Sequence, residues 1–299
     1  MNEVLITGTV ALDTIETPFG RVEKALGGSA TYASFAASFF TNPALISVIG
    51  NDFPENYLEL MKKRNIGLDG LKKNGKTFHW DGFYEYDMNE AKTRKTELNS
   101  LEHFKVEVPN NFKDIKYVFL ANIAPEQQHE TLKQMNKAEF IVMDTMNFWI
   151  NNKRESLLKL IRKVDVLLVN DSEARQLFKT ISLVHAAQNA LKLGPKAVII
   201  KKGEHGALLF TNNKHFNAPG YPLENIKDPT GCGDCFGGAF IGYLAKTKDL
   251  SEKNFRKAIV YGSVIASFNA EDFGLNRLKK LTIFEIEKRY KEFQDIREF

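Results

Sequence analysis

The chain has 299 residues, enough for one large α/β domain or two small domains. Hydrophobic residues make up 43%, charged residues 26%, and the formal net charge is only +4. Lysines and arginines alternate with acids and form no long basic block, which argues against a nucleic-acid-binding protein. No stretch approaches the roughly 20 apolar residues of a membrane span, and two cysteines cannot make a disulfide framework. We expect a cytoplasmic protein with no membrane partner.

The predicted elements alternate along the chain between short apolar strands and helices. The predicted strands are Val4–Thr7, Ala44–Ile49, Tyr117–Ala121, Phe140–Asp144, Val166–Asn170, Ala197–Lys201 and Ala207–Phe210. The predicted helices are Ala30–Phe40, Glu55–Arg64, Glu126–Met135, Arg154–Arg162, Ser172–Phe178, Leu183–Leu193, Cys235–Ala245, Glu252–Phe268 and Ile283–Ile296. Because most strand runs are continuously apolar, we expect strands buried on both faces of a mostly parallel sheet. The alternation predicts a doubly wound α/β fold with helices on both sides.

Two segments, about 13–25 and 76–104, interrupt this alternation. Phe78-His79-Trp80 and Tyr84-Glu85-Tyr86 alternate aromatic and polar residues, a pattern typical of antiparallel strands exposed on one face. We predict one domain over residues 1–299 in which these segments form a small β-sheet lid over the mouth of the main sheet. The alternative is a long surface hairpin without a role. An exposed lid edge also predicts a homodimer, since such edges tend to be paired or covered.

The segment Asp228–Phe240 predicts an anion site. Its glycine-rich turn runs directly into an apolar helix, and Gly231 and Gly233 permit backbone angles that side chains forbid. Backbone N–H groups at such a helix start face an anion and are assisted by the helix dipole. Asp234 lies at this helix start, where a carboxylate can accept a proton from an attacking hydroxyl. Asp234 could equally be a helix cap.

Cys232 and Cys235 permit a second interpretation of the same segment. A Cys-x-x-Cys pattern at a helix start is typical of redox thiols with a lowered pKa. The surrounding glycines and acids serve no purpose in that chemistry, and no second cysteine pair exists to complete a zinc site. We therefore favour the anion site and keep a redox protein as an alternative.

The run Asp-Pro-Thr-Gly-Cys-Gly-Asp ending at Asp234 resembles the C-terminal signature of the ribokinase/PfkB carbohydrate-kinase family, usually Asp-Thr-x-Gly-Ala-Gly-Asp. Further family motifs occur in the same order, over nearly the whole chain. They are Gly8 followed by Asp13, Gly27-Gly28, Gly50-Asn51-Asp52, Asn170-Asp171-Ser172-Glu173, and Lys201-Lys202-Gly203-Glu204-His205-Gly206-Ala207. The resemblance implies an ATP-dependent kinase that phosphorylates a hydroxyl, with a central sheet, flanking helices and a β-lid.

The resemblance also implies roles for individual residues. Asp234 would be the general base, and the backbone at Gly231, Cys232 and Gly233 would form the anion hole. Asp13, Gly27 and Gly28 would hold substrate hydroxyls. Asn170 and Glu173 would organise ATP and Mg²⁺, the metal being reached through water, while Lys201 and Gly203 would border the nucleotide. Asp228 and Thr230 match positions that bind a monovalent cation such as K⁺ in many members. Taken singly, Asn170 or Asp13 could instead be an ordinary cap.

Two asparagines after predicted strands are further candidates for substrate binding. Asn122 and Asn147 follow strands whose carboxyl ends should meet at one edge of the sheet, where open α/β sheets gather ligands.

The acceptor is predicted to be a sugar, with a nucleoside as the alternative because aromatic lid residues also suit a purine. Ser29-Ala30-Thr31-Tyr32 lacks the asparagine with which many family members contact the sugar. A sugar phosphate would need basic groups near Asp13, which Arg21, Lys24, Arg94 and Lys95 could supply. A non-catalytic ligand-binding relative remains a further alternative, although the intact glycine turn and Asp234 argue against it.

Overall fold

Two sheets of unequal size organise residues 2–296, the part of the chain that this computed structural model describes. The strands are β1 (Val4–Thr7), β2 (Ala11–Thr17), β3 (Gly20–Gly27), β4 (Pro43–Ile49), β5 (Gly67–Lys73), β6 (Phe78–Phe83), β7 (Lys92–Glu97), β8 (Tyr117–Leu120), β9 (Phe140–Met143), β10 (Val166–Asn170), β11 (Ala197–Lys201), β12 (Ala207–Thr211) and β13 (His215–Ala218). The helices are α1 (Ser29–Ala37), α2 (Glu55–Lys63), α3 (Pro125–Gln134), α4 (Asn147–Asn152), α5 (Arg154–Ile161), α6 (Asp171–Phe178), α7 (Leu183–Leu191), α8 (Cys232–Thr247), α9 (Glu252–Ala270) and α10 (Ile283–Asp295).

The large sheet has the order β13-β12-β11-β10-β9-β8-β1-β4-β5. Neighbours from β11 to β5 pair in parallel, whereas β12 and β13 are antiparallel. Parallel strands point their carboxyl ends to one edge, which is where ligands bind in open α/β sheets. The predicted doubly wound, mostly parallel fold is confirmed.

Successive residues of the central strands pack into two separate cores. Ile6 and Leu168 face one core with α1, α2, α8, α9 and α10, whereas Leu5 and Leu167 face the other with α3 to α7. Strands buried on both faces explain why their sequences are continuously apolar and do not alternate. The two cores hold the sheet rigid between two layers of helices.

A second, four-stranded sheet has the order β3-β2-β6-β7. Strand β2 pairs parallel with β6, while the β2–β3 and β6–β7 pairs are antiparallel. The sequence predicted this smaller sheet from two separated segments. It placed Tyr84-Glu85-Tyr86 in a strand, however, and these residues lie after β6, in the loop that leads to β7.

Three elements escaped the sequence analysis because their patterns are weak. The edge strand β5 carries two glycines and two lysines, and β13 has four residues. The helix α4 is only six residues long. Edge strands are exposed on one side and tolerate polar residues, so they lack the apolar run that marks a central strand.

Helices long and apolar enough to cross a bilayer are absent from residues 2–296.

Candidate active site

The start of α8 lies at the carboxyl edge of the large sheet, against the side chain of Lys201 at the end of β11. Gly231 precedes the helix with φ of 77°, a left-handed conformation, and a Cβ there would lie 2.3 Å from Cγ of Tyr32. The Cys232 N–H donates to the Pro229 carbonyl at 3.1 Å. The amides of Gly233 and Asp234 follow in the first helical turn, where N–H groups have no acceptor within their own helix. These two amides can face an anion, whereas that of Cys232, predicted to share in the anion hole, closes the turn.

Asp234 is half-buried in the first turn of α8. Burial and, next, the Asp144 carboxylate raise the pKa of its carboxyl to about 7, although Lys201 opposes both. A carboxyl whose pKa lies near the working pH is well matched to act as a general base. Its position beside backbone amides combines a proton acceptor with an anion site.

Asn170 and Lys201 lie side by side at the carboxyl ends of β10 and β11, where their Cα atoms are register partners. Asn170 Oδ1 accepts from the Glu173 N–H and Glu173 Oε2 accepts from the Asn170 N–H, both at 2.7 Å, so this pair is a capping box. Glu173 is only 7% exposed. Burial raises the pKa of its carboxyl to about 7, a change that Lys201 opposes. The capping box therefore holds the buried Glu173 carboxyl close to Lys201.

The Lys201 side chain extends towards Asp144 and the start of α8. Its ammonium forms an ion pair with Asp144, the residue after β9, and a Cβ on Gly233 would lie 3.1 Å from its Nζ. Lys201 thus lies beside the backbone at the start of α8. Gly203 is also predicted to border the nucleotide. It lies two residues after Lys201 and begins a short 3-10 turn, Gly203–His205.

Asp13 lies in β2, against the start of α1. Its Oδ2 accepts from the Gly28 N–H at 3.2 Å, while Oδ1 is buried without a hydrogen-bond partner among residues 2–296. Burial raises the pKa of this carboxyl to about 7. A Cβ on Gly27 would lie 1.9 Å from Asp13 Oδ2, and one on Gly28 would lie 2.5 Å from the Thr9 carbonyl oxygen, so both positions require glycine.

Asn122 and Asn147 have different environments. Asn122 Oδ1 accepts from Trp149 Nε1 at 2.9 Å, and its carbonyl accepts from Ser29 Oγ at 2.8 Å. Asn122 therefore links the start of α1 to α4, and its amide oxygen already accepts a hydrogen bond within the protein. Asn147 is exposed at the first position of α4.

Asp228 is fully buried before the glycine turn. Its two oxygens accept from the N–H groups of Thr230 at 2.9 Å and Gly274 at 2.8 Å, and burial raises its pKa. Thr230 Oγ1 donates to the hydroxyl of Tyr84, 3.2 Å away, in the loop between β6 and β7. The loop between β6 and β7 of the small sheet therefore contacts the glycine turn directly.

The same loop also reaches the Gly203 turn. Asn89 Nδ2 lies 3.4 Å from Glu204 Oε1, and a Cβ on Gly203 would lie 2.0 Å from Asn89 Oδ1. Arg21 and Arg94, basic candidates for binding a sugar phosphate, instead pair with Glu16 on the exposed small sheet.

The cysteines are poorly suited to redox chemistry. Cys235 is fully buried, and burial raises the pKa of the Cys232 thiol to about 12. The redox interpretation required a lowered pKa, because the thiolate is the reactive form.

Magnesium would find oxygen ligands here but no ready-made cage. Within residues 2–296, no group of three or more His, Cys, Asp or Glu side chains is arranged to hold a metal ion. Glu173, with one oxygen outside the capping box, fits a Mg²⁺ ion that keeps most of its waters.

Sequence reasoning missed Asp144 and Tyr84 as site residues. Asp144 was recognised only as the end of a strand, although the rule that ligands gather at carboxyl ends could have identified it. Tyr84 approaches the glycine turn across 146 residues of sequence, a contact without a local signal.

Comparison with known proteins agrees with this geometry. Residues 3–280 match the model of the pfkB family of carbohydrate kinases. The chain is 27% identical to a cytidine kinase of Thermococcus kodakarensis, covering 84% of this chain and 92% of the relative. The crystal structure of a Methanocaldococcus jannaschii nucleoside kinase superposes with a TM-score of 0.79 at 22% identity, over 97% of this chain and 98% of the other. A ribokinase-like E. coli protein crystallised with ATP and Mg²⁺ superposes with a TM-score of 0.79 at 18% identity, over 98% and 100%.

The family match spans almost the entire chain and includes every element that forms the glycine turn and the surrounding carboxylates. The chain therefore belongs to the pfkB family of carbohydrate kinases and is an ATP-dependent kinase that phosphorylates a hydroxyl group.

Proposed function

We propose that Asp234 is the general base for transfer of the ATP γ-phosphoryl group to a sugar hydroxyl. The observation that best supports this proposal is that the half-buried Asp234 carboxyl has a raised pKa and lies in the same helical turn as the Gly233 and Asp234 amides, which can face an anion. The hydroxyl oxygen attacks the γ-phosphorus, the bond from that phosphorus to the β–γ bridging oxygen breaks, and ADP leaves. The hydroxyl proton passes to Asp234, and the amides of Gly233 and Asp234 stabilise the charge on the phosphoryl oxygens.

The acceptor would be held by Asp13 and the Gly27-Gly28 backbone. The buried, unpartnered Oδ1 of Asp13 supports this assignment, because a buried acceptor without a donor is costly and a substrate hydroxyl would satisfy it. Asn147, exposed at the first position of α4, would add a polar contact to the acceptor.

A nucleoside is a second candidate acceptor. The Thermococcus and Methanocaldococcus relatives are named cytidine kinase and nucleoside kinase. Phe148 is 51% exposed and packs edge-to-face on Trp149, whose indole is bound to Asn122 near the start of α1. An exposed aromatic face near a ribose site suits a nucleobase.

ATP would enter from the Gly203 turn with Mg²⁺ on its phosphates. Asn170 and Glu173 would orient the metal's waters, and bound Mg²⁺ would neutralise charge on the β- and γ-phosphates. Asp228 and Thr230 would serve a K⁺ ion. The small sheet would act as a lid, supported by the contacts of Tyr84 and Asn89 described above. Its outer face would join two copies into a dimer, which sedimentation can test.

Conversion of ATP to ADP with Mg²⁺ and K⁺ across sugars, sugar phosphates and nucleosides tests the proposal. We expect one acceptor class to give turnover that rises as the pH passes through about 7 and levels off above it, as Asp234 ionises. Asp234→Asn should lower turnover about 10²–10⁴-fold, while Asp249→Asn, beyond the opposite end of α8, should leave it unchanged. Failure of every acceptor, or full activity in Asp234→Asn, would overturn the proposal.

A further inference from the structure

Lys201 is a mostly buried cation beside the start of α8. Its side chain is 16% exposed and that of its partner Asp144 only 4%. Asp144 follows β9 and Lys201 ends β11, so the ion pair crosses the carboxyl end of β10 between them. The ion pair therefore lies at the carboxyl ends of the neighbouring strands β9, β10 and β11.

The Lys201 ammonium faces the start of α8. A Cβ on Gly233 would lie 3.1 Å from Nζ, which places the ammonium against the backbone that offers the anion-binding amides. The other charged groups that face it are Glu173 from α6 and Asp234 from α8. An ammonium has three N–H donors, and among residues 2–296 the hydrogen bond to Asp144 uses one of them.

The surroundings keep this lysine charged. Burial alone would lower its pKa, but the carboxylates of Asp144 and Glu173 outweigh burial and raise it. A buried ion pair is poor evidence for a stabilising role, because apolar residues of similar volume often serve stability as well. A fixed positive charge beside amides is, by contrast, what phosphoryl transfer requires.

We propose that Lys201 is a further catalytic residue whose ammonium binds the phosphoryl group during transfer, and that Asp144 is the positioning residue that holds it there. This inference rests on the proposed kinase function. Charge on the three equatorial phosphoryl oxygens would meet the amides of Gly233 and Asp234 and the remaining donors of Lys201. No proton leaves Lys201, since the hydroxyl proton passes to Asp234.

Lys201→Met tests the catalytic contact, with kcat measured beside binding of ADP and of the non-hydrolysable ATP analogue AMPPNP. We expect kcat to fall about 10²–10³-fold, as on loss of one oxyanion-hole donor. AMPPNP should bind several-fold more weakly while ADP binding is unchanged, because only AMPPNP carries the third phosphate. Lys196→Met, which removes an exposed lysine paired with Asp165 just before β11, is the matched control and should leave all three values unchanged.

Asp144→Asn tests the positioning role. It should lower kcat less than Lys201→Met does, and the double variant should be no slower than Lys201→Met alone, because Asp144 acts through Lys201. Additive losses would overturn the positioning role. A kcat near wild type in Lys201→Met, or equal weakening of ADP and AMPPNP, would overturn the catalytic role. Those results leave the kinase proposal standing, whereas a wild-type protein without turnover overturns both.

Discussion

Gly238→Ala tests the packing that holds the catalytic helix against the acceptor side of the site. Gly238 lies one turn after Asp234 and faces α1, the helix that begins beside Gly28. A Cβ at Gly238 would lie 2.1 Å from the Ala33 carbonyl oxygen and 2.6 Å from its Cα. Both atoms belong to backbone, so relief requires the two helices to move apart.

The expected magnitude follows from two opposing effects. Alanine is favoured over glycine in a helix interior by about 1 kcal/mol. Overpacking a tight contact costs about 1–3 kcal/mol, and a backbone clash belongs at or beyond the upper end of that range. We expect a net loss of about 2 kcal/mol in the free energy of unfolding, with a fall in Tm of roughly 3 °C.

Gly242→Ala is the matched control for this prediction. It lies one turn further along α8 on the same face, and its Cβ would lie 3.0 Å from Ala37 Cα and 3.1 Å from the Ala37 carbonyl oxygen. The milder contact predicts a smaller loss. Thermal unfolding of both variants is the assay. A Gly238→Ala variant as stable as wild type, or more stable, would refute the close packing of α1 against α8.

Three further substitutions probe the site. Tyr84→Phe should raise the acceptor KM about five-fold at nearly constant kcat, through loss of a hydrogen bond to Thr230 worth about 1 kcal/mol; an unchanged KM contradicts this. Cys232→Ala should keep most kinase activity, because its thiol stays protonated; near-complete loss in a folded variant would favour thiol chemistry. Asp13→Asn should lower kcat/KM roughly 10- to 100-fold. Since its folded pKa of about 7 exceeds the ordinary 3.8, wild type loses stability as the pH rises from about 4 to 7, and thermal unfolding should show the variant gaining stability relative to wild type between pH 5 and pH 8; a stability difference that is the same at both pH values contradicts this.

The sheet and the glycine turn could be predicted from sequence because their signals are local. Strands such as β10 and β11 are uninterrupted apolar runs whose ends were predicted to the residue. The turn at Gly231 requires a left-handed residue immediately before an apolar helix, a pattern contained in a few adjacent positions.

Contacts between distant segments could not be predicted in the same way. Lys201 and Asp144 are 57 residues apart, and either residue alone has the sequence pattern of an ordinary strand end. Asn170 and Glu173 show a different limit of sequence reasoning. From sequence, a capping role and a site role are alternatives, but the structure forms the capping box and also brings Glu173 close to Lys201.

Single-turnover transfer of labelled phosphoryl from ATP to the active acceptor, in wild type and Asp234→Asn, is the most direct test of the central claim. The account predicts a labelled acceptor in wild type and a transfer rate lower by about 10²–10⁴-fold in the variant, the usual contribution of a general base, at unchanged ATP affinity. Transfer by Asp234→Asn at a rate close to that of wild type would contradict the assignment of Asp234 as the base.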